Sequence, residues 1–303
     1  MAGPVGLVGV GAMGSAIASR LLQAGYEVVG TDPREECVAL LENRGGHGVR
    51  TALEVAEAAP VVILSLPSAE AFLAVTTGPD GVGEVSRADI VVIDTCTLDI
   101  DDKLIGREHL ASRGIELLDC TLSGTPPMCL ENEMTLYGSG DQDVYDAVTP
   151  VIASFTRDHT YLGEFGNASR MKYVINFLVL IHNAATAEAL TLGEKLGLDP
   201  ALVHSMVADS FGASRVWERR GKLMLAGDYR SSRNTYSIAR KDGSLITTYA
   251  ARAHVPVPVF AAALQMHQAG LGQGLGQLDP ASIYEIYRRN AGLRSQLRSL
   301  EAD

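Results

Sequence analysis

The chain has 303 residues, 47% of them hydrophobic and 20% charged, which is enough apolar material for a sizeable core and too much for a disordered chain. A formal net charge of −11 sets its surface against nucleic acid and anionic membrane, while a local basic pocket for a small anion stays open. Length alone predicts about two domains.

The first residues run straight into "VGLVGVGAMG", with no basic region and no cleavage site of a secretory leader. "VGLVGV" (5–10), "EVVGTD" (27–32), "VVILSL" (61–66), "IVVIDT" (90–95) and "IELLDC" (115–120) are brief, β-branched and bounded by turn residues, and each predicts a buried strand. Helix-length segments such as "AMGSAIASRLLQAG" and "DDKLIGREHLASRG" lie between them and end at glycines. This alternation predicts an N-terminal α/β domain of Rossmann type over residues 1–163, a doubly wound parallel sheet with right-handed crossovers.

Gly9, Gly11 and Gly14 follow the first strand and open a helix with Ala12 and Met13. In that context G-x-G-x-x-G is a dinucleotide fingerprint. The first glycine makes the tight turn, the second lets backbone approach a pyrophosphate, and the third lets helix and strand pack closely. Asp32, 23 residues after Gly9, closes the second strand run. A carboxylate there accepts hydrogen bonds from ribose hydroxyls and repels a 2′-phosphate, so NAD is expected ahead of NADP. Arg34, two residues on, keeps NADP possible. Leu66, Pro67 and Thr95, at the ends of the third and fourth strand runs, are further candidates for cofactor contact.

Beyond residue 163 strand signals stop. Alanine- and leucine-rich helical segments follow, broken at "GLDP" (197–200), "GDYRSS" (227–232), "HVPVP" (254–258) and "GLGQGLGQLDP" (270–280). The last break follows a helix rather than a strand, so it reads as a connector and not as a nucleotide loop. The expectation is an all-α C-terminal domain over residues 164–303, entered by a long interdomain helix over about 166–195. No apolar run reaches the roughly 18 uninterrupted residues of a membrane span. On that helix, at 100° per residue, Asn176 falls about 40° and Asn183 about 20° from Lys172. Three polar groups share one narrow sector of an apolar helix. Either that seam faces a cleft, or the lysine reaches solvent and the asparagines satisfy backbone groups.

The four cysteines form no CxxC pair and have no zinc spacing, so they read as reduced thiols of a cytoplasmic protein. No metal is expected. "DIDD" (99–102) reads as an acidic helix cap, and His182 as a core or interface histidine.

Four segments resemble the β-hydroxyacid dehydrogenase family, which includes 3-hydroxyisobutyrate dehydrogenase, tartronate semialdehyde reductase and the glyoxylate/succinic semialdehyde reductases. They are "GLVGVGAMGSAIASRLLQAG", "DCTLSGTPPMCLENEMTLYGSGD" (119–141), "GEFGNASRMKYVINF" (163–177) and "RKDGSL" (240–245). They occur in family order across most of the chain. The resemblance implies that Lys172 is the catalytic acid/base, with Asn176 beside it at the substrate. It implies that Ser123 and Gly124, with Thr125, hold the substrate carboxylate, and that Lys241 and Asp242 lie near the cofactor. It further implies a homodimer or homotetramer acting on a small hydroxy acid or aldehyde. Two alternatives stand beside this reading: an imine reductase, which shares the architecture but generally lacks this lysine, and a catalytically silent cofactor-binding module, against which the intact set of Lys172, Asn176 and Ser123 argues.

The chain also departs from the family pattern. Thr121 replaces the proline and Thr125 the second glycine of Asp-Ala-Pro-Val-Ser-Gly-Gly. Asn132 stands where glycine is usual, and Asn234 where phenylalanine often precedes the Lys-Asp segment. These changes touch the substrate rather than the chemistry. Arg215, Arg219, Arg220 and Arg233 are candidates for a second anion contact.

Overall fold

The computed structural model describes residues 3–230 and 235–295, with 237 and 238 described by backbone alone. Two compact units, Met1–Lys172 and Tyr173–Asp303, divide the chain.

The first unit is built from β1 (Val5–Val8), α1 (Ala12–Gln23), β2 (Val28–Thr31), α2 (Glu35–Glu42), β3 (His47–Gly48), α3 (Ala52–Ala58), β4 (Val61–Leu64), α4 (Ala69–Thr77), β5 (Val91–Asp94), α5 (Ile100–Ala111), β6 (Glu116–Ser123), α6 (Pro126–Leu130), β7 (Thr135–Ser139), α7 (Gln142–Phe155) and β8 (Asp158–Tyr161). The strands form one sheet in the order β3-β2-β1-β4-β5-β6-β7-β8. Successive strand residues point to opposite faces and both faces are covered, which is why the runs of β1, β4 and β5 are almost wholly apolar. Leu7, Ile63, Ile93 and Leu118 join the core beneath α1 and α7. Their neighbours Val8, Val62, Val92 and Leu117 join a second core with Phe72 and Leu110 on the other face.

All five predicted strands are present. The sheet also carries β3, β7 and β8, which the apolar runs do not announce, and it is not wholly parallel: β6 and β7 are antiparallel. "DHTY" mixes polar with apolar residues because β8 is an edge and only half-buried, whereas "TLYGS" of β7 lies inside the sheet. On β7, Gly138 leaves room for the Tyr145 ring, which stands 2.1 Å from where a Cβ would lie.

The second unit is helical among its described residues. α8 (Asn167–Lys195) begins in the first unit and leads into it, followed by α9 (Pro200–Ala208), α10 (Arg215–Ala226), α11 (Tyr236–Arg252), α12 (Pro258–Gly272) and α13 (Ile283–Asn290). The four predicted breaks fall at the joins between these helices, although the glycine-rich one starts inside the last turn of α12, which runs to Gly272. α8 corrects one expectation, because by length and composition it is long and apolar enough to cross a membrane. Its most apolar stretch has a mean hydropathy of 1.3 and is 39% buried. Lys172, Asn176 and Asn183 interrupt the apolar run without interrupting the helix. The seam is bonded within the protein: Asn183 donates to the Pro280 carbonyl at 2.9 Å and Asn176 to Asp242 at 2.7 Å.

The helical core contains Tyr236, Tyr284 and Trp217, with His267 buried beside Tyr236. Burial pushes the His267 imidazole down to about 4, against a hydrogen bond from its Nε2 to the Leu180 carbonyl that favours the charged form. Unfolding returns it to an ordinary histidine, so between pH 6.5 and 4 the unfolded chain binds the extra proton. Stability is therefore whole above pH 6.5 and falls as pH drops toward 4, by up to about 3 kcal/mol from this one group. Urea unfolding at pH 7 and pH 5 should register the loss. His267→Gln should flatten it, and an unchanged slope in that variant would assign the effect elsewhere.

Candidate active site

The cofactor candidates of the first unit lie at the carboxyl end of the parallel strands, where sheet order reverses between β1 and β4 and an open α/β sheet forms its crevice, whereas Lys241 and Asp242 lie on α11. Gly9 has φ +90°, a left-handed conformation open to glycine. A Cβ on Gly14 would lie 1.9 Å from the Gly9 carbonyl oxygen, so α1 can start only where it does with glycine there. Gly11 caps α1, and its missing side chain leaves the first turn bare of cover from its own residue. The strand ends are tied together. Thr95 donates its hydroxyl to the Leu64 carbonyl at 2.6 Å, and the Leu66 N–H reaches Cys96 Sγ at 3.1 Å. Leu66 also lies within 3.3 Å of the Cβ position of Gly9. The cradle therefore fits a dinucleotide: a bare helix N-terminus for the diphosphate, with Ala12 and Met13 opening the helix, and Leu66, Pro67 and Thr95 following the neighbouring strands.

Asp32 follows β2. Its side chain is 4% exposed and is gripped by Arg34, whose Nε and Nη2 donate to the two carboxylate oxygens at 2.8 and 3.1 Å. Burial pushes the Asp32 pKa up, but the side-chain and backbone hydrogen bonds from Arg34 outweigh it and leave the group below its ordinary value. The guanidinium also stands 2.7 Å from the Cβ position of Gly11, directly beside the glycine loop.

β6 runs on past the predicted end to Ser123, and the chain then turns at Gly124 (φ +148°) into α6. A Cβ on Gly124 would meet Met134 Sδ at 2.7 Å. Thr125 is the extended N-cap of α6, φ −120°, so a glycine is not required at that departure from the family pattern. Asn132 has φ +57°. The position demands a left-handed residue, and asparagine is among the side chains that tolerate it. Arg20 donates to its side chain at 3.1 Å.

Lys172 stands in the second turn of α8, partly exposed. The start of this helix is bonded into the sheet. Thr121 Oγ1 donates to the Ala168 carbonyl at 2.9 Å, the Ala168 N–H to Ser139 Oγ at 3.1 Å, and the Ser169 N–H and hydroxyl to the two Asp119 oxygens at 2.8 and 2.9 Å. Thr121, the departure from the family proline, thus supplies a donor that proline lacks.

Sequence reasoning missed what holds Asp119. Lys103 is fully buried; it donates to Asp119 and to the Cys96 carbonyl, both at 2.7 Å, and pairs with the Asp94 carboxylate at 2.9 Å. Burial alone would lower its pKa, but the two carboxylates together outweigh that and hold it above the ordinary lysine value. Two signals were present. Lys103 lies on the buried stripe of α5 with Ile100, Gly106 and Leu110, and "DCTLS" alternates polar and apolar residues at strand period.

In the second unit, Asn176 and Asp242 form a buried pair between α8 and α11, and Lys241 lies 3.7 Å from Asp242. Arg220 is bound to Asp279 and so is already committed, whereas Arg215 and Arg219 lie on the exposed face of α10. Arg233 and Asn234 lie outside the described residues. "DIDD" is a cap, with Asp99 accepting from the Asp101 N–H at 3.0 Å. His182 is half-buried on α8. Among the described residues no group of three or more His, Cys, Asp or Glu side chains could hold a metal ion.

The family profile described as the NAD binding domain of 6-phosphogluconate dehydrogenase matches residues 4–163. The one described as NAD-binding of NADP-dependent 3-hydroxyisobutyrate dehydrogenase matches residues 166–287. An L-threonate dehydrogenase of Cupriavidus necator is 30% identical over 93% of this chain and 95% of its own. The chain belongs to the β-hydroxyacid dehydrogenase family. A 2-(hydroxymethyl)glutarate dehydrogenase of Eubacterium barkeri is 28% identical over 95% of this chain and 96% of its own. The crystal structure of a 3-hydroxyisobutyrate dehydrogenase from Salmonella typhimurium superimposes with a TM-score of 0.86 at 26% identity, covering 94% of this chain and all of that one. As a β-hydroxyacid dehydrogenase, the chain is an NAD(P)-dependent oxidoreductase with the Rossmann and helical domains of its family.

Proposed function

We propose that this enzyme interconverts a small 3-hydroxy acid and its semialdehyde, prefers NAD, and uses Lys172 as general acid/base. Bound cofactor supplies a hydride to the carbonyl carbon in reduction and takes it back in oxidation. The Lys172 ammonium donates a hydrogen bond to the carbonyl oxygen and gives up one proton as that oxygen becomes a hydroxyl. In oxidation the neutral amine takes the proton back. Ser123 and the backbone N–H groups around Gly124 and Thr125 bind the carboxylate; the family resemblance assigns Asn176 to the substrate and Lys241 and Asp242 to the cofactor. The observation that carries this reading is the bonded junction of β6 and α8, from which Ser123 and Lys172 both extend. The imine reductase alternative is not favoured, because Lys172 is present. Reduction of a panel of small semialdehydes with NADH, followed spectrophotometrically, tests the reading; no turnover across the panel would sink it.

The Asp32–Arg34 pair supports NAD over NADP, since a 2′-phosphate would meet a buried carboxylate whose arginine is already engaged. Wild-type enzyme should favour NADH. In Asp32→Ala, with Arg34 released, that preference should fall by at least about tenfold, a change of ~1.4 kcal/mol. A wild-type preference for NADPH would mean that Arg34 governs instead.

The same reading includes self-association into a dimer or tetramer. It is supported by exposed Leu192, Leu196, Leu202 and Met206, which flank the close contact of Gly193 with Val203 where α8 meets α9. Light scattering on the purified enzyme would reveal a monomer if this is wrong. A cytoplasmic location is supported by four free cysteines.

A further inference from the structure

We propose that Lys103, Asp119 and Thr121 are positioning residues, which clamp the first turn of α8 to β6 and so hold Lys172 at a fixed reach from Ser123; this rests on the reading of Lys172 as the acid/base. Asp119, Thr121 and Ser123 alternate along β6 and therefore share one face of the strand. Two of them bind the helix, and the third is the proposed substrate contact. The bonds go to the main chain of Ala168 and to both donors of Ser169, and Ser169 neighbours Lys172 one turn along the helix.

A carboxylate serves this end of a helix well, because it caps free N–H groups and meets the positive end of the dipole. Left alone, Asp119 would be a buried charge beside a second one, since Asp94 is its partner in the β5–β6 register. Lys103 makes both tolerable and fixes the Asp119 oxygens toward Ser169, with Ser139 adding a hydroxyl at 3.3 Å. An acid/base group needs this kind of support, because a displacement of about an ångström from productive geometry costs much of the rate.

The test uses gentle variants, Thr121→Val and Ser169→Ala, in the full chain saturated with NAD and assayed with 3-hydroxyisobutyrate and L-threonate. Each should lower kcat by about tenfold or more while the KM for NAD stays within about twofold, and Ser169→Thr should recover most of the loss. The second readout needs no turnover. The lysines are reductively methylated with ¹³C-formaldehyde, the Lys172 resonance is assigned by its loss in Lys172→Arg, and its position and width are compared across variants. A shifted or broadened Lys172 signal with kcat reduced supports the clamp. A lower Tm with kcat and the signal both unchanged overturns it, leaving a purely structural network. If wild-type enzyme turns over neither substrate, that failure belongs to the functional reading. The clamp then stands or falls on the resonance alone.

Discussion

Lys172→Ala should lose between about 10²- and 10⁴-fold in turnover while keeping its fold and its affinity for NADH. The side chain is partly exposed on α8 and belongs to none of the three cores, so truncation opens no cavity there. The glycine loop and Asp32 lie on other elements, so cofactor binding should persist. What disappears is the proton that must reach the carbonyl oxygen as hydride arrives at carbon. Lys172→Arg sharpens the test, because a guanidinium keeps the charge and the hydrogen bond but does not release its proton near neutral pH. It should therefore resemble alanine in oxidation, where a neutral base is required. A correctly folded alanine variant with near-wild-type rate would end the assignment.

How much of this was legible in the sequence depends on how local each demand is. The glycine fingerprint was readable because each glycine answers a steric question within a few residues: a left-handed turn at Gly9 and a carbonyl against the helix at Gly14. β1, β4 and β5 were readable because strands covered on both faces carry near-continuous apolar runs. β7 and β8 were not, since one makes room for a tyrosine ring with a glycine and the other is a half-exposed edge. α8 was placed almost to the residue. Its apolar length nevertheless exceeds what its polar seam suggested, because three polar side chains in a long apolar helix do little to a mean hydropathy. Lys103 was missed for a different reason, although its place on the buried stripe of α5 was visible. Its partners Asp94 and Asp119 lie 9 and 16 residues away on two strands, and only the fold brings them within bonding distance. Asn132 lies between these cases: a departure from the family glycine in sequence, and a tolerated left-handed residue in the structure.

The same three charges carry the largest stability effect expected here. Lys103→Met keeps the length and most of the volume of the side chain, and removes the one cation between two carboxylates that have no exposure at all. Breaking a buried ion pair from one side costs roughly 3–5 kcal/mol, and most of that is the penalty of leaving the opposite charge buried and uncompensated. A second change separates this penalty from packing. Asp94→Asn in the Lys103→Met background removes one of the stranded charges, and its amide oxygen can still accept from the Cys96 N–H, as the carboxylate does at 3.0 Å. Asp119 keeps its two bonds from Ser169. The double variant should therefore be more stable than Lys103→Met alone, although it carries two substitutions in the core. Urea unfolding of wild type, both single variants and the double completes the cycle. Additive losses would mean that Lys103 contributes packing and not charge. A Lys103→Met single variant within about 1 kcal/mol of wild type would mean that the carboxylates are neutralised without it, and the network would have to be redrawn around shared protons.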